Sequence, residues 1–116
     1  MFTTVEINNA LEVINTQIDE KTAELEPLRS AHKNAKALYE NNYSRYYLET
    51  KAKNTDWADG RVKALATNLA YNDKLDAIKA ESSYMKVNNE LKALYTEVDC
   101  LKEQSYNIRA ELNRLK

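Results

Sequence analysis

Glycine, proline, cysteine and histidine each occur once in these 116 residues, and each scarcity excludes something. One Gly and one Pro leave little material for reversals, so the elements must be few and long. A β-sheet protein of this size needs several turns, each usually marked by Gly, Pro, Asn or Asp. Only Asn54-Thr55-Asp56 with Gly60 forms such a cluster. A lone Cys100 permits no internal disulfide and no cysteine-based metal site. A lone His32 argues against a metal centre, since no second His or Cys joins it. No glycine-rich phosphate loop or nucleophile elbow is present. The carboxylates sit at exposed helix spacings beside lysines, as on a solvated helix face. No apolar run approaches the ~18–20 residues of a membrane span. The opening Met1-Phe-Thr-Thr-Val-Glu lacks the basic and apolar regions of a signal peptide, so the expected compartment is the cytoplasm. No catalytic residue, metal or cofactor is expected.

Helix formers fill the rest of the chain. Residues 81–116 carry the clearest pattern, in which Tyr84, Leu91, Val98, Ser105 and Leu112 alternate with Val87, Leu94, Leu101, Ile108 and Leu115 in steps of three and four. Only Ser105 breaks the apolar seam, which is the signature of a coiled coil and is read as the line of association. Upstream, Val62, Leu65, Leu69, Leu75, Ile78 and Met85 form a broader stripe out of phase with it, and Ser82-Ser83 is a weak point. In the first half, Ile7, Leu11, Ile14, Ile18, Leu25 and Leu28 mark one face, and the register continues through His32, Ala35, Tyr39 and Tyr46. Thr3 and Glu6 have the spacing of a capping box. Pro27 removes one backbone donor, yet the stripe keeps its phase across it, which predicts a kinked helix rather than two.

The fold expected is all-α: one domain over 1–116, a long antiparallel helical hairpin or coiled coil. Its first arm covers about 4–50, the turn about 51–56 with Asp56 as cap, and the second arm about 57–114. Two helices alone bury one stripe each, so self-association is expected, most simply as a dimer forming a four-helix bundle.

The net charge of −1 hides an uneven distribution. Residues 1–28 hold six acids and one base, residues 29–63 eight bases and four acids, and the remainder eight of each. The basic middle also holds four of the eight tyrosines, Tyr39, Tyr43, Tyr46 and Tyr47, which share a helix face. With Arg45, Lys51, Lys53, Trp57 and Arg61 they are the candidate partner-binding residues. Aromatic planes beside cations suit single-stranded nucleic acid, through stacking and phosphate pairing. Tyrosine is equally favoured at protein interfaces. The plainer reading is that the rings fill the bundle near the turn. Lys21, Asn42 and Ser105 on the seams are read as setting register, His32 as a partly buried structural residue, and Cys100 as exposed and incidental.

From Tyr46 to Leu94 a basic aromatic helix end (Tyr-Tyr-Leu-Glu-Thr-Lys-Ala-Lys) is followed by a short Asn-Thr-Asp-Trp turn. A long Ala/Glu/Lys helix comes next. This layout resembles the small helical proteins of recombination and replication modules in phages of Gram-positive bacteria. The resemblance implies an accessory to a recombinase, annealing protein or single-strand-binding protein, acting through protein contacts or nucleic acid. An inhibitor of a host nuclease or defence protein, and a purely structural coiled coil, are the other expectations.

Overall fold

The computed structural model describes residues 3–115, which form three helices and no strand: α1 (Thr4–Lys53), α2 (Asp59–Leu69) and α3 (Tyr71–Arg114). The chain runs out along α1 and returns along α2 and α3, an all-α helical hairpin. Packing divides it into two units, one of Met1–Glu26 with Lys86–Lys116, the other Pro27–Met85. No helix is long and apolar enough to cross a membrane among the described residues.

α1 starts as its sequence dictates. The Glu6 backbone N–H donates to Thr3 Oγ1 at 3.2 Å, and the Thr3 N–H donates to Glu6 Oε2 at 3.3 Å, closing a capping box. The helix then passes through Pro27 as one element, despite the missing donor. It ends at Lys53, three residues beyond the expected limit, where Asn54 Nδ2 donates to the Thr50 carbonyl at 3.1 Å. This satisfies one of the carbonyls a helix end leaves open.

The start of α2 differs from expectation. Asp56 does not cap it; Ala58 is the N-cap, extended at φ −63° and ψ 149°, with no side-chain hydrogen bond. Asp59 lies one step inside, where its charge favours the helix dipole. The returning arm is also not continuous, because α2 stops at Leu69 and α3 begins at Tyr71. The interruption is one residue wide, with Ala70 at φ −92° and ψ 9° and its N–H still bonded to the Ala66 carbonyl at 3.0 Å. Ser82-Ser83 lies inside unbroken helix.

In the first unit α1 lies antiparallel to α3. Ile7, Ile14, Ile18 and Leu25 are buried on one side, and Val87, Leu91 and Leu101 on the other, with Leu94, Val98, Ser105 and Ile108 half-buried. The seam expected to join chains is therefore occupied within the chain. Leu112 and Leu115, at 54% and 84% exposure, lie at the far end of α3 and stay uncovered. Lys21 reaches across to α3, its Nζ donating to Glu90 at 2.8 Å. That contact and Glu24 raise the Lys21 pKa, and the Lys21 hydrogen bond lowers that of Glu90.

In the second unit α1 packs against α2 and the start of α3 on different chemistry. The buried residues are Thr50, Val62, Ala66 and Ala70. Half-buried positions are His32, Ala35, Tyr39, Asn42 and Tyr46 on α1, with Asp73, Ala77, Ala80 and Tyr84 on α3. These extend the rhythm of the α3 seam upstream, as 70, 73, 77, 80 and 84. Small and polar residues hold the phase here. The larger Leu69, Ile78 and Met85 are turned out, at 50%, 48% and 49% exposure. The covered positions 62, 66 and 70 advance in two successive steps of four, and the helix yields at Ala70, where the second step ends. Asn42 Nδ2 donates to Asp73 Oδ2 at 2.9 Å, and the His32 ring stacks on Tyr84 with centroids 5.7 Å apart.

Candidate partner-binding surface at the turn

The residues flanking the turn lie within the second unit, and three of the cations there are laid on rings. Arg45 sits over Tyr46 at 5.1 Å, Lys51 over Tyr47 at 5.7 Å, and Arg61 over Trp57 at 3.8 Å. Such contacts give roughly 0.5–1 kcal/mol at exposed sites and hold long side chains in one orientation. The Arg61–Trp57 pair crosses from the turn to the first turns of α2, so it also fastens the loop to the helix.

A second lock joins α1 to α2. The Tyr47 hydroxyl donates to Asp59 Oδ1 at 2.5 Å, and Lys63 Nζ donates to Asp59 Oδ2 at 2.9 Å. The Tyr47 hydrogen bond, followed by Lys63, holds the Asp59 carboxyl below the ordinary carboxylate value, and Asp59 in turn raises the Lys63 pKa. Lys63 is thereby neutralised. Among the described residues, no carboxylate comes within ion-pair distance of Arg45, Lys51, Lys53 or Arg61. Glu49 and Asp56 are the other acids of this region, so it keeps an excess of positive charge.

The structure thus brings Arg45, Tyr46, Tyr47, Lys51, Lys53, Trp57 and Arg61 to one end of the unit. Tyr39 and Tyr43 precede this set on α1 and pair with each other at 6.3 Å, and Tyr43 is close enough to Lys63 to help raise its pKa. The four tyrosines are half-buried, so they serve packing and surface together. Tyr46 lies on the seam and Tyr47 holds Asp59, whereas Arg45, Lys51, Lys53 and Arg61 are exposed. The Asp59 lock was not foreseeable from spacing, because Tyr47 and Asp59 are joined across the reversal. The partner of Asn42 was equally hidden, although Asn42 itself stood out as a polar residue on an apolar stripe.

Among the described residues, no group of three or more His, Cys, Asp or Glu is placed to hold a metal ion. Cys100 is exposed. Comparison of the chain with protein-family models, with curated proteins and with solved structures finds no match in any of the three.

Proposed function

We propose that this chain is a non-enzymatic helical binding protein, acting in the cytoplasm as an accessory to DNA recombination or replication. Its working surface is the cationic, aromatic end at the turn. The partner is a DNA-handling protein with an acidic face, or the nucleic acid that such a protein handles. The observation that carries this reading is the set of cations without carboxylate partners, three of them set on rings. At the same end Lys63 is paired with Asp59 at i,i+4 spacing, whereas Arg45, Lys51, Lys53 and Arg61 are not. Cations left without carboxylates favour a polyanion. Rings beneath them supply stacking area once a guanidinium or ammonium moves onto a phosphate. The layout shared with phage recombination-module proteins points to the same setting.

The test is fluorescence anisotropy with single- and double-stranded oligonucleotides at about 50 and 200 mM salt. Single-strand binding that falls steeply with salt, and weakens in Lys53→Ala and Arg61→Ala, is the expected result. Lys53 is exposed and makes no ring contact, so its change leaves the fold intact, whereas Arg61→Ala also frees Trp57 and is read beside Lys53→Ala. A Tyr43, Tyr46, Tyr47 triple replacement is a poorer test, because it removes seam packing and the Asp59 lock together. No binding at the lower salt removes DNA as a direct ligand and leaves the acidic protein face.

A further inference from the structure

In a two-helix hairpin, the α3 positions one residue after the seam should be polar, since nothing within the chain covers them. Lys74 and Glu81 meet that rule, but the other three positions are apolar or aromatic. Tyr71, Ile78 and Met85 stand seven residues apart on α3, at 56%, 48% and 49% exposure, with Leu75 half-buried beside them. All four belong to the second unit. The row borders an open groove of about 270 Å³ between Lys36, Tyr39 and Glu40 of α1 and Lys74, Ile78 and Glu81 of α3.

We propose that a second copy of this chain occupies this face, with the two α3 rows running antiparallel about a two-fold axis at Ile78. The symmetry of the row carries the argument. Tyr71 and Met85 lie seven residues on either side of Ile78, so a two-fold there sets each tyrosine ring on the partner's methionine sulfur, a favourable contact. Lys74 lies four residues before Ile78 and Glu81 three after it, both on the groove side. The same two-fold sets each Lys74 opposite Glu81 of the other copy. Neither has an ion-pair partner within its own chain. A parallel arrangement would instead oppose Lys74 to Lys74 and Glu81 to Glu81, which costs energy in an interface. Lys79, on the other flank, comes near its own copy at the axis, and its long stem lets the charge remain in solvent. A closed, isologous contact results, and it stops at two copies.

This assigns association to a surface other than the expected seam, which the chain itself covers from Tyr84 to Ile108. Four side chains a side cover less than the ~800 Å² per partner of a standard interface, the size range of transient contacts. The dimer uses none of the turn residues, so the two proposals fail separately.

The test is disulfide trapping in the full chain on a Cys100→Ser background, with Ser44→Cys as an exposed control on α1. Ile78→Cys alone should cross-link to a dimer, because the two-fold passes through it. An equimolar mixture of Tyr71→Cys and Met85→Cys should cross-link well above either variant alone. Cross-linking of Tyr71→Cys with itself as efficiently as in the mixture would overturn the antiparallel arrangement. Yields no higher than the Ser44→Cys control would overturn the interface. In sedimentation velocity the wild-type chain should gain mass with concentration. Ile78→Glu should weaken association about tenfold or more while keeping its helical circular dichroism, since two buried like charges would then meet. A wild-type chain that stays monomeric at every concentration also overturns the proposal.

Discussion

Among the described residues, the unit of 1–26 and 86–116 buries seven aliphatic side chains from isoleucine, leucine and valine. In the unit Pro27–Met85 the buried apolar residues are Val62, Ala66 and Ala70 alone. From Ala70 through Ile108 the covered positions keep one heptad rhythm through both units, so periodicity along α3 does not distinguish them. What differs is where the large side chains go. The first unit places them inside. The second lines its interior with alanines, tyrosines, His32 and the Asn42–Asp73 pair, and keeps Leu69, Tyr71, Ile78 and Met85 outside. Burial of apolar area is the main favourable term in folding, so the first unit is the stabilising part. The second carries cations, rings and exposed aliphatics, the materials of recognition. Apolar burial and exposed cationic, aromatic surface are thus divided between the two units.

Substitutions can break or sharpen this division. The largest effect belongs to the first unit, where Leu101→Asp buries a carboxylate without a partner and costs several kcal/mol. Loss of cooperative thermal unfolding, followed by circular dichroism, is the expected result. Next comes Ala66→Leu in the second unit, at a position with 0% exposure. Overpacking a fully covered position there should cost about 1–3 kcal/mol in denaturant titrations. Asn42→Leu removes the donor to half-buried Asp73 and should cost about 1 kcal/mol. The double change Asn42→Leu with Asp73→Leu should recover that loss, because no polar group is then left unpaired.

The smallest effect is in pH. Asp59 and Glu90 have folded-state pKa values below their ordinary 3.8 and 4.5. A carboxyl with a depressed folded value stabilises above its unfolded value and loses that contribution as pH falls through the folded one. Stability should therefore be flat from neutrality to about pH 5 and decline only below the ordinary carboxylate values. Asp59→Asn should remove part of that acid step, measured as the midpoint of unfolding against pH.

The helical hairpin was legible because the absences and the heptads agree. Few turn residues and a long α3 seam leave little else. The break at Ala70 and the register upstream of Tyr84 were not legible, for one physical reason. Hydrophobic periodicity weighs residues by size, and here Ala70, Asp73, Ala77 and Ala80 hold the seam while Ile78 and Met85 face out. The cap at Ala58 was hidden likewise, since Asp56 has the better capping chemistry and the chain does not use it. At the turn, composition located the cationic aromatic cluster. Only the fold shows which cations are neutralised, because Asp59 is claimed by Tyr47 from the other helix.

Amide hydrogen exchange of the full chain, at a protein concentration too low for association, tests the division most directly. The account predicts the slowest exchange over 7–25 and 87–101, at the free energy of global unfolding, with 30–50 and 62–84 opening at lower cost. Equal protection of both units, or slower exchange in the second, would contradict it.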